Sequence, residues 1–134
     1  GFLYFFAGAQ PLSADTALDL VTVHTHLIRI SNNNTSTGLT FEVPTIGVLV
    51  KAIAEVWKGV YAFEGFQDGE TELPPTFYRF CAGSDNGRGA ADPTTGYRVQ
   101  GSMGGPASGA DLRVGSNLVV NAGEQPVGDF SWRF

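Results

Sequence analysis

Thr22–Ile30 reads TVHTHLIRI, and its period is two. In an extended chain Val23, Thr25, Leu27 and Arg29 fall on one side, and His24, His26, Ile28 and Ile30 on the other, neither side being purely apolar. A strand follows from that pattern. Upstream, Gly1–Ala7 (GFLYFFA) is apolar but lacks the basic leader and long aliphatic centre of a signal peptide, so it too is expected as a strand. A start at Gly1 fits removal of an initial Met, which a following Gly permits, or a few further residues ahead of it. Downstream, Phe77–Cys81 (FYRFC) is aromatic-rich, Tyr61 and Phe63 share a face of a strand ending near Phe66, and Leu118–Val120 precede the turn Asn121-Ala122-Gly123. Val127–Phe134 (VGDFSWRF) is expected as the last strand.

Between these segments Gly, Pro and Asn recur every five to ten residues, an interval that suits strands and leaves little room for helix. Val48–Lys58 (VLVKAIAEVWK) fits helical spacing as well as alternation and is read as one strand. Ser13–Leu20 supports a single capped helical turn at most. The expectation is an all-β, single-domain antiparallel β-sandwich or jelly roll spanning residues 1–134, with eight to ten short strands. The longest loops are Asn32–Gly38, Gln67–Pro75 and Gly83–Thr95, where contacts would concentrate.

Composition narrows the functional classes. A chain of 134 residues with 43% hydrophobic and only 16% charged residues is too apolar to be disordered. At this size folding buries roughly two-thirds of the unfolded surface, so a self-sufficient core is possible. A formal charge of −5 supplies no footprint for phosphate backbones, which argues against direct nucleic-acid binding. No apolar run reaches the roughly eighteen residues of a membrane helix, so a soluble protein without membrane attachment is expected. The one cysteine, Cys81, excludes an internal disulfide.

None of the candidate chemical groupings completes a site. His24 and His26, two apart in a strand, would share a face as metal ligands do, but no third ligand is indicated, so neither metal nor cofactor is expected. Asp68, Glu70 and Glu72 in FQDGETELPP resemble fragments of a calcium loop without its closing bidentate Glu, and read as a solvated turn. Gly83–Gly89 (GSDNGRG) is a Gly-rich loop with Arg88, of a kind that can cradle anions, but it lacks the Lys and Ser/Thr of a phosphate loop and no helix follows, so a turn is the default, and Asp85-Asn86-Gly87 reads as a hairpin turn. Cys81 has no neighbouring His and reads as buried. No G-x-S-x-G elbow occurs, Asn33–Ser36 matches a glycosylation acceptor to which no role is assigned, and no catalytic residues are expected.

Aromatic residues gather at both ends: Phe2, Tyr4, Phe5 and Phe6 at the start, and Phe130, Trp132 and Phe134 at the finish. The terminal three alternate and face one way. Adjacent Phe5 and Phe6 put rings on both faces of a strand, so the second face needs a cover, from this chain's own core or from a partner interface.

The order of short motifs resembles a known family. Leu3-Tyr4, Gly8-Ala9-Gln10-Pro11, Ser13-Ala14-Asp15 and Gly38-Leu39-Thr40-Phe41 are similar to the start of small virion proteins encoded in tailed-phage structural modules. Gly47-Val48-Leu49 with Lys51, Glu55–Gly59, Tyr78-Arg79-Phe80 with Ser84-Asp85, and Arg98–Gly101 resemble that family's successive strands and turns. Ser108–Leu112, Leu118, Asn121-Ala122-Gly123 and Asp129-Phe130 resemble its closing pattern. His24–Asn34 is longer and more charged than the pattern, and QDGETELPP looks inserted.

The resemblance implies a jelly-roll capsid cement or decoration protein of a podovirus-like phage, located on the head surface of the virion and in the host cytoplasm during assembly. It further implies the major capsid protein as partner, self-association as a homodimer or symmetric cluster, and no enzyme activity. A tail or tail-tip component whose loops bind a receptor is the alternative. A carbohydrate-binding sandwich is a third class, in which Trp57, Trp132 and exposed tyrosines would serve as stacking platforms, although Trp57 within EVWKGV reads more easily as core.

Overall fold

In the computed structural model, which describes residues 1–42, 46–91, 96–128 and 130–133, strands follow one another without any helix among the described residues. They are β1 (Phe2–Ala7), β2 (Thr25–Asn32), β3 (Val48–Val50), β4 (Trp57–Val60), β5 (Glu64–Gly65) and β6 (Glu72–Leu73). After them come β7 (Phe77–Cys81), β8 (Arg98–Gly104), β9 (Leu112–Arg113), β10 (Val119–Val120), β11 (Glu124–Val127) and β12 (Ser131–Arg133). Eight strands form one sheet in the order β11-β4-β2-β1-β7-β8-β9, with β5 alongside β2, and this sheet curls into a half-barrel. Two small sheets, β10-β6 and β12-β3, complete the structure. The all-β, sandwich-like expectation therefore holds, though a jelly-roll strand order is not part of that result.

Several expectations need correction. Among the described residues the strands number twelve, because β5, β6, β9 and β10 are two-residue pairings too short to leave an alternating pattern. The sheet is mixed, since β8 and β9 run parallel with Met103 opposite Leu112. Val48–Lys58 is broken: Glu55 N–H donates to the Ala52 carbonyl in a turn, while Lys51 bridges to Phe41. Val127–Phe134 is likewise interrupted, with Val127 ending β11 and Ser131 opening β12. At Ser13–Leu20 a turn replaces the helical one, closed by Thr16 N–H on the Ser13 carbonyl and Asp15 N–H on Ser13 Oγ.

The most consequential correction lies inside TVHTHLIRI. Between β1 and β2 the register runs Leu3 to Ile30, Tyr4 to Arg29 and Phe5 to Ile28, then jumps to Phe6 opposite His26. Leu27 is thus the extra residue of a β-bulge, and a bulge exchanges faces for everything beyond it. Ile28 and Ile30 stay beside Leu3 and Phe5, while His26 moves to the opposite face, with Tyr4 and Phe6.

The first face carries the larger core: Leu3, Phe5, Leu27, Ile28, Ile30, Trp57, Tyr61, Tyr78 and Phe130 are all buried there. The β3-β12 pair and the residue Phe41 close it with rings. Trp132 lies 5.0 Å from Phe130, 5.2 Å from Phe80, 5.3 Å from Phe41 and stacks on Tyr78 at 6.4 Å. Gly101, paired with Tyr78 across β7 and β8, makes room for that ring, because a Cβ there would sit 2.6 Å from the Tyr78 side chain. The second face carries a smaller cluster of Tyr4, Phe6, Phe77 and Cys81, edged by Phe2 and Leu18.

Candidate functional site

The second face is closed by loops rather than strands. Gly8, at φ 103°, turns the chain out of β1 in a conformation open to glycine, and residues 9–24 then cross back over Phe6 and Phe77. Residues 82–91 cover the other half. The two loops are joined by backbone hydrogen bonds from Leu18 N–H to the Arg88 carbonyl (2.7 Å) and from Ala91 N–H to the Asp15 carbonyl (3.0 Å).

Arginines fasten this cover to the sheet. Arg79, in the middle of β7 and wholly buried, donates to the Gly87 carbonyl (2.6 Å), the Ser13 carbonyl (3.3 Å) and Gln100 Oε1 (3.2 Å). Burial, with the nearby Arg98 charge, lowers its pKa to about 10, so it stays protonated at neutral pH. Arg98 grips Asp85 through two hydrogen bonds in a pair whose side chains are 2% and 8% exposed, and also donates to the carbonyls of Ala14 (3.2 Å) and Gly89 (2.7 Å). The Arg98 hydrogen bonds hold the Asp85 carboxyl below its usual range and raise the Arg98 pKa in turn. Gln100 Nε2 donates to the Pro11 carbonyl at 2.6 Å.

Arg88 works at the margin of the cover. Its guanidinium pairs with Glu64 at 2.5 Å and donates to His26 Nδ1 at 2.9 Å. His26 is buried against Tyr4 and Phe6, and desolvation, reinforced by Arg88, lowers its pKa to about 4. The neutral ring accepts at Nδ1, so its proton sits on Nε2. Tyr4, His26, Glu64 and Arg88 line a cleft of about 350 Å³ together with Arg29, Asn34 and Asn86.

The residues singled out in the sequence are placed as follows. Asp19 N–H donates to His24 Nδ1 at 3.0 Å, and His24 Nε2 lies 2.8 Å from the Ala9 carbonyl. Both ring nitrogens are thereby occupied by backbone, and no group of three His, Cys, Asp or Glu side chains suited to a metal occurs among the described residues. Asp68 and Gly69 form a turn at positive φ, closed by Glu70 N–H on Gln67, while Glu72 belongs to β6. Cys81 is buried, and desolvation pushes its thiol up to about 12, far from a reactive thiolate. Asp85-Asn86-Gly87 is not a tight hairpin turn, since its carboxylate and amide accept Gly87 and Arg88 N–H groups inside the longer connection between β7 and β8.

The terminal aromatics close this chain's own core. Tyr4, Phe5, Phe6 and Phe130 are buried, and Phe2 and Trp132 are half-buried against the clusters. Phe134 lies outside the described residues. Trp57 is buried with Nε1 donating to Glu55 at 2.6 Å, which removes it as a stacking platform. Trp132 Nε1 donates to the Tyr78 hydroxyl at 2.9 Å.

Large apolar side chains do reach solvent elsewhere. Leu12, Ile46, Ile53 and Tyr97 are almost fully exposed and Val21 largely so; Leu12 and Val21 share the connection between β1 and β2, and the other three stand in three further connections. Val50, Val56, Val99, Leu118 and Val120 are partly exposed. Among the described residues no helix is long and apolar enough to cross a membrane. Comparison of the chain with models of known protein families, with curated proteins and with solved structures finds no match.

Proposed function

We propose that this chain is a non-catalytic structural protein of a tailed-phage virion, a cement protein that binds the outside of the head and bridges major capsid subunits. The observation that carries the reading is the set of exposed apolar side chains on separate loops. Leu12 and Val21 project from the loop covering the second face, while Ile46 and Ile53 flank β3 on the side of the first. Single apolar side chains in solvent are ordinary on a protein surface, but their placement on opposite sides of one sheet is what a molecule wedged between neighbours needs. Modest contacts on several subunits sum to durable attachment. A clamp that binds the assembled shell preferentially stabilises it against the outward pressure of packaged DNA.

The test is to locate the protein on intact particles by gold labelling or imaging and to heat particles assembled without it. The reading expects signal over the head shell and DNA release at lower temperature in its absence. Signal confined to the tail tip, with equally heat-stable heads, overturns it.

A further inference from the structure

We propose that the cleft between β2, β5 and the 82–91 loop is a binding site for a single sugar acid, a ring bearing a carboxylate and hydroxyl groups. The inference is independent of the attachment reading. The cleft's volume, about 350 Å³, is at the small end for ligand sites and suits one ring. Its lining is rich in donors. Arg29 and Arg88 bring two guanidinium groups, Asn34 and Asn86 bring amides, and Glu64 brings a carboxylate.

Two buried donors on side chains of the cleft have no acceptor among the described residues. Arg88 Nε is buried without a hydrogen-bond partner, and so is His26 Nε2, on a side chain only 6% exposed. Because Arg88 can only donate to His26 Nδ1, the orphaned Nε2 of the neutral ring is an N–H and calls for an oxygen. Buried donors left unpaired are costly, and the two side chains that carry them also line the cleft, so an oxygen-rich guest that draws either nitrogen out toward it relieves that cost.

The carboxylate that now answers Arg88 is Glu64, whose side chain is 54% exposed on the two-residue strand β5. A ligand carboxylate can take its place in a fork on the guanidinium. The released Glu64 turns to solvent, while the amides of Asn34 and Asn86 donate to hydroxyl oxygens of the ring. Glu64 is thus an internal competitor, and that role yields a signature no bland structural salt bridge shares.

The experiment is a calorimetric titration of the full chain at pH 7 and low salt with D-glucuronate, D-glucose and inorganic phosphate. Saturable glucuronate binding is expected, at least tenfold tighter than glucose or phosphate. Glu64→Gln, a change at an exposed side chain, should tighten glucuronate binding several-fold, and Arg88→Gln should weaken it at least tenfold. Circular dichroism and melting establish that each variant is folded. If Arg88→Gln does not fold, Glu64→Gln alone decides. Absence of saturable binding to the folded wild type overturns the proposal. So does phosphate binding as tightly as glucuronate, or Glu64→Gln leaving the affinity unchanged or lower.

Discussion

Phe5 and Phe6 are neighbours in the chain and lie on opposite faces of the same strand, yet what surrounds them differs in kind. Phe5 sits among Ile28, Leu3, Tyr78 and the ring stack of Phe41, Trp57, Phe130 and Trp132, where the cover is other strands and the contacts are apolar. Phe6 stacks on Phe77 at 5.0 Å, but beyond that small cluster its cover is two loops without regular structure. A loop cannot bury a continuous apolar surface, so its own carbonyls must be held, and Arg79, Arg98 and Gln100 hold them. The comparison teaches that an arginine in a sheet can do for a loop what a facing strand does for a sheet. It fixes backbone, with directional bonds in place of area.

The contrast breaks first on the apolar side. Phe5→Ala is expected to cost about 3–5 kcal/mol through lost burial and the cavity it leaves, read as a shift of the urea midpoint for the whole chain. A cost under about 1 kcal/mol would mean that this face is not the main source of stability.

Acid sharpens the contrast from the other side. His26 is held neutral in the fold, with its pKa lowered to about 4 from 6.5, and Arg88, Arg29, Glu64 and Tyr4 are the charged or titratable groups around it. A depressed folded pKa means that the unfolded chain binds the extra proton, so stability is full above about pH 6.5 and falls as pH drops toward 4. The loss is expected to reach up to roughly 3 kcal/mol, since a tenfold change in proton affinity is worth about 1.36 kcal/mol. His26→Asn should flatten thermal stability across that window. Asp85, lowered by Arg98, adds a further loss below its ordinary range.

A smaller effect is expected for Arg79→Met. Replacing the guanidinium by a chain of similar length keeps packing and removes three hydrogen bonds, a loss of about 2 kcal/mol. Faster exchange of the Leu18 and Ala91 amides, which tie the loops together, is the expected sign. Smallest of all, Leu12→Asp and Ile53→Asp should change stability by no more than about 0.5 kcal/mol, because neither side chain is buried. On the attachment reading the same variants fail to decorate heads, so unchanged decoration would count against the loops as contacts.

Much of the first face was legible in the sequence, because GFLYFFA and FYRFC are short apolar and aromatic runs and TVHTHLIRI has a period of two. The bulge at Leu27 was not, since a one-residue insertion leaves the pattern intact and only pairing with β1 displays it. Strands two residues long fall below any periodic signal. Arg88 was legible only as the cation of a Gly-rich loop and Arg98 only as part of a short motif, although Arg79, a charge inside an aromatic strand, was a mark that something must pair with it. The partners were unreadable because they are carbonyls of Ser13, Ala14, Gly87 and Gly89, groups every residue carries. For the same reason the cleft around His26 was hidden: it depends on the bulge that turns His26 over and on the loop that brings Arg88, sixty-two residues away, to its ring.

Native-state hydrogen exchange tests the two-face account most directly. Amides of β1, β2 and β7, such as Phe5, Ile28 and Tyr78, should exchange only through global unfolding, whereas those of Leu18, His24 and Ala91 should open at a lower free energy. Arg79→Met should lower the second set further and leave the first tied to the global value. Exchange of both sets at one common free energy, in the wild type and in Arg79→Met alike, would contradict the account and make the arginine-held loops part of a single cooperative core.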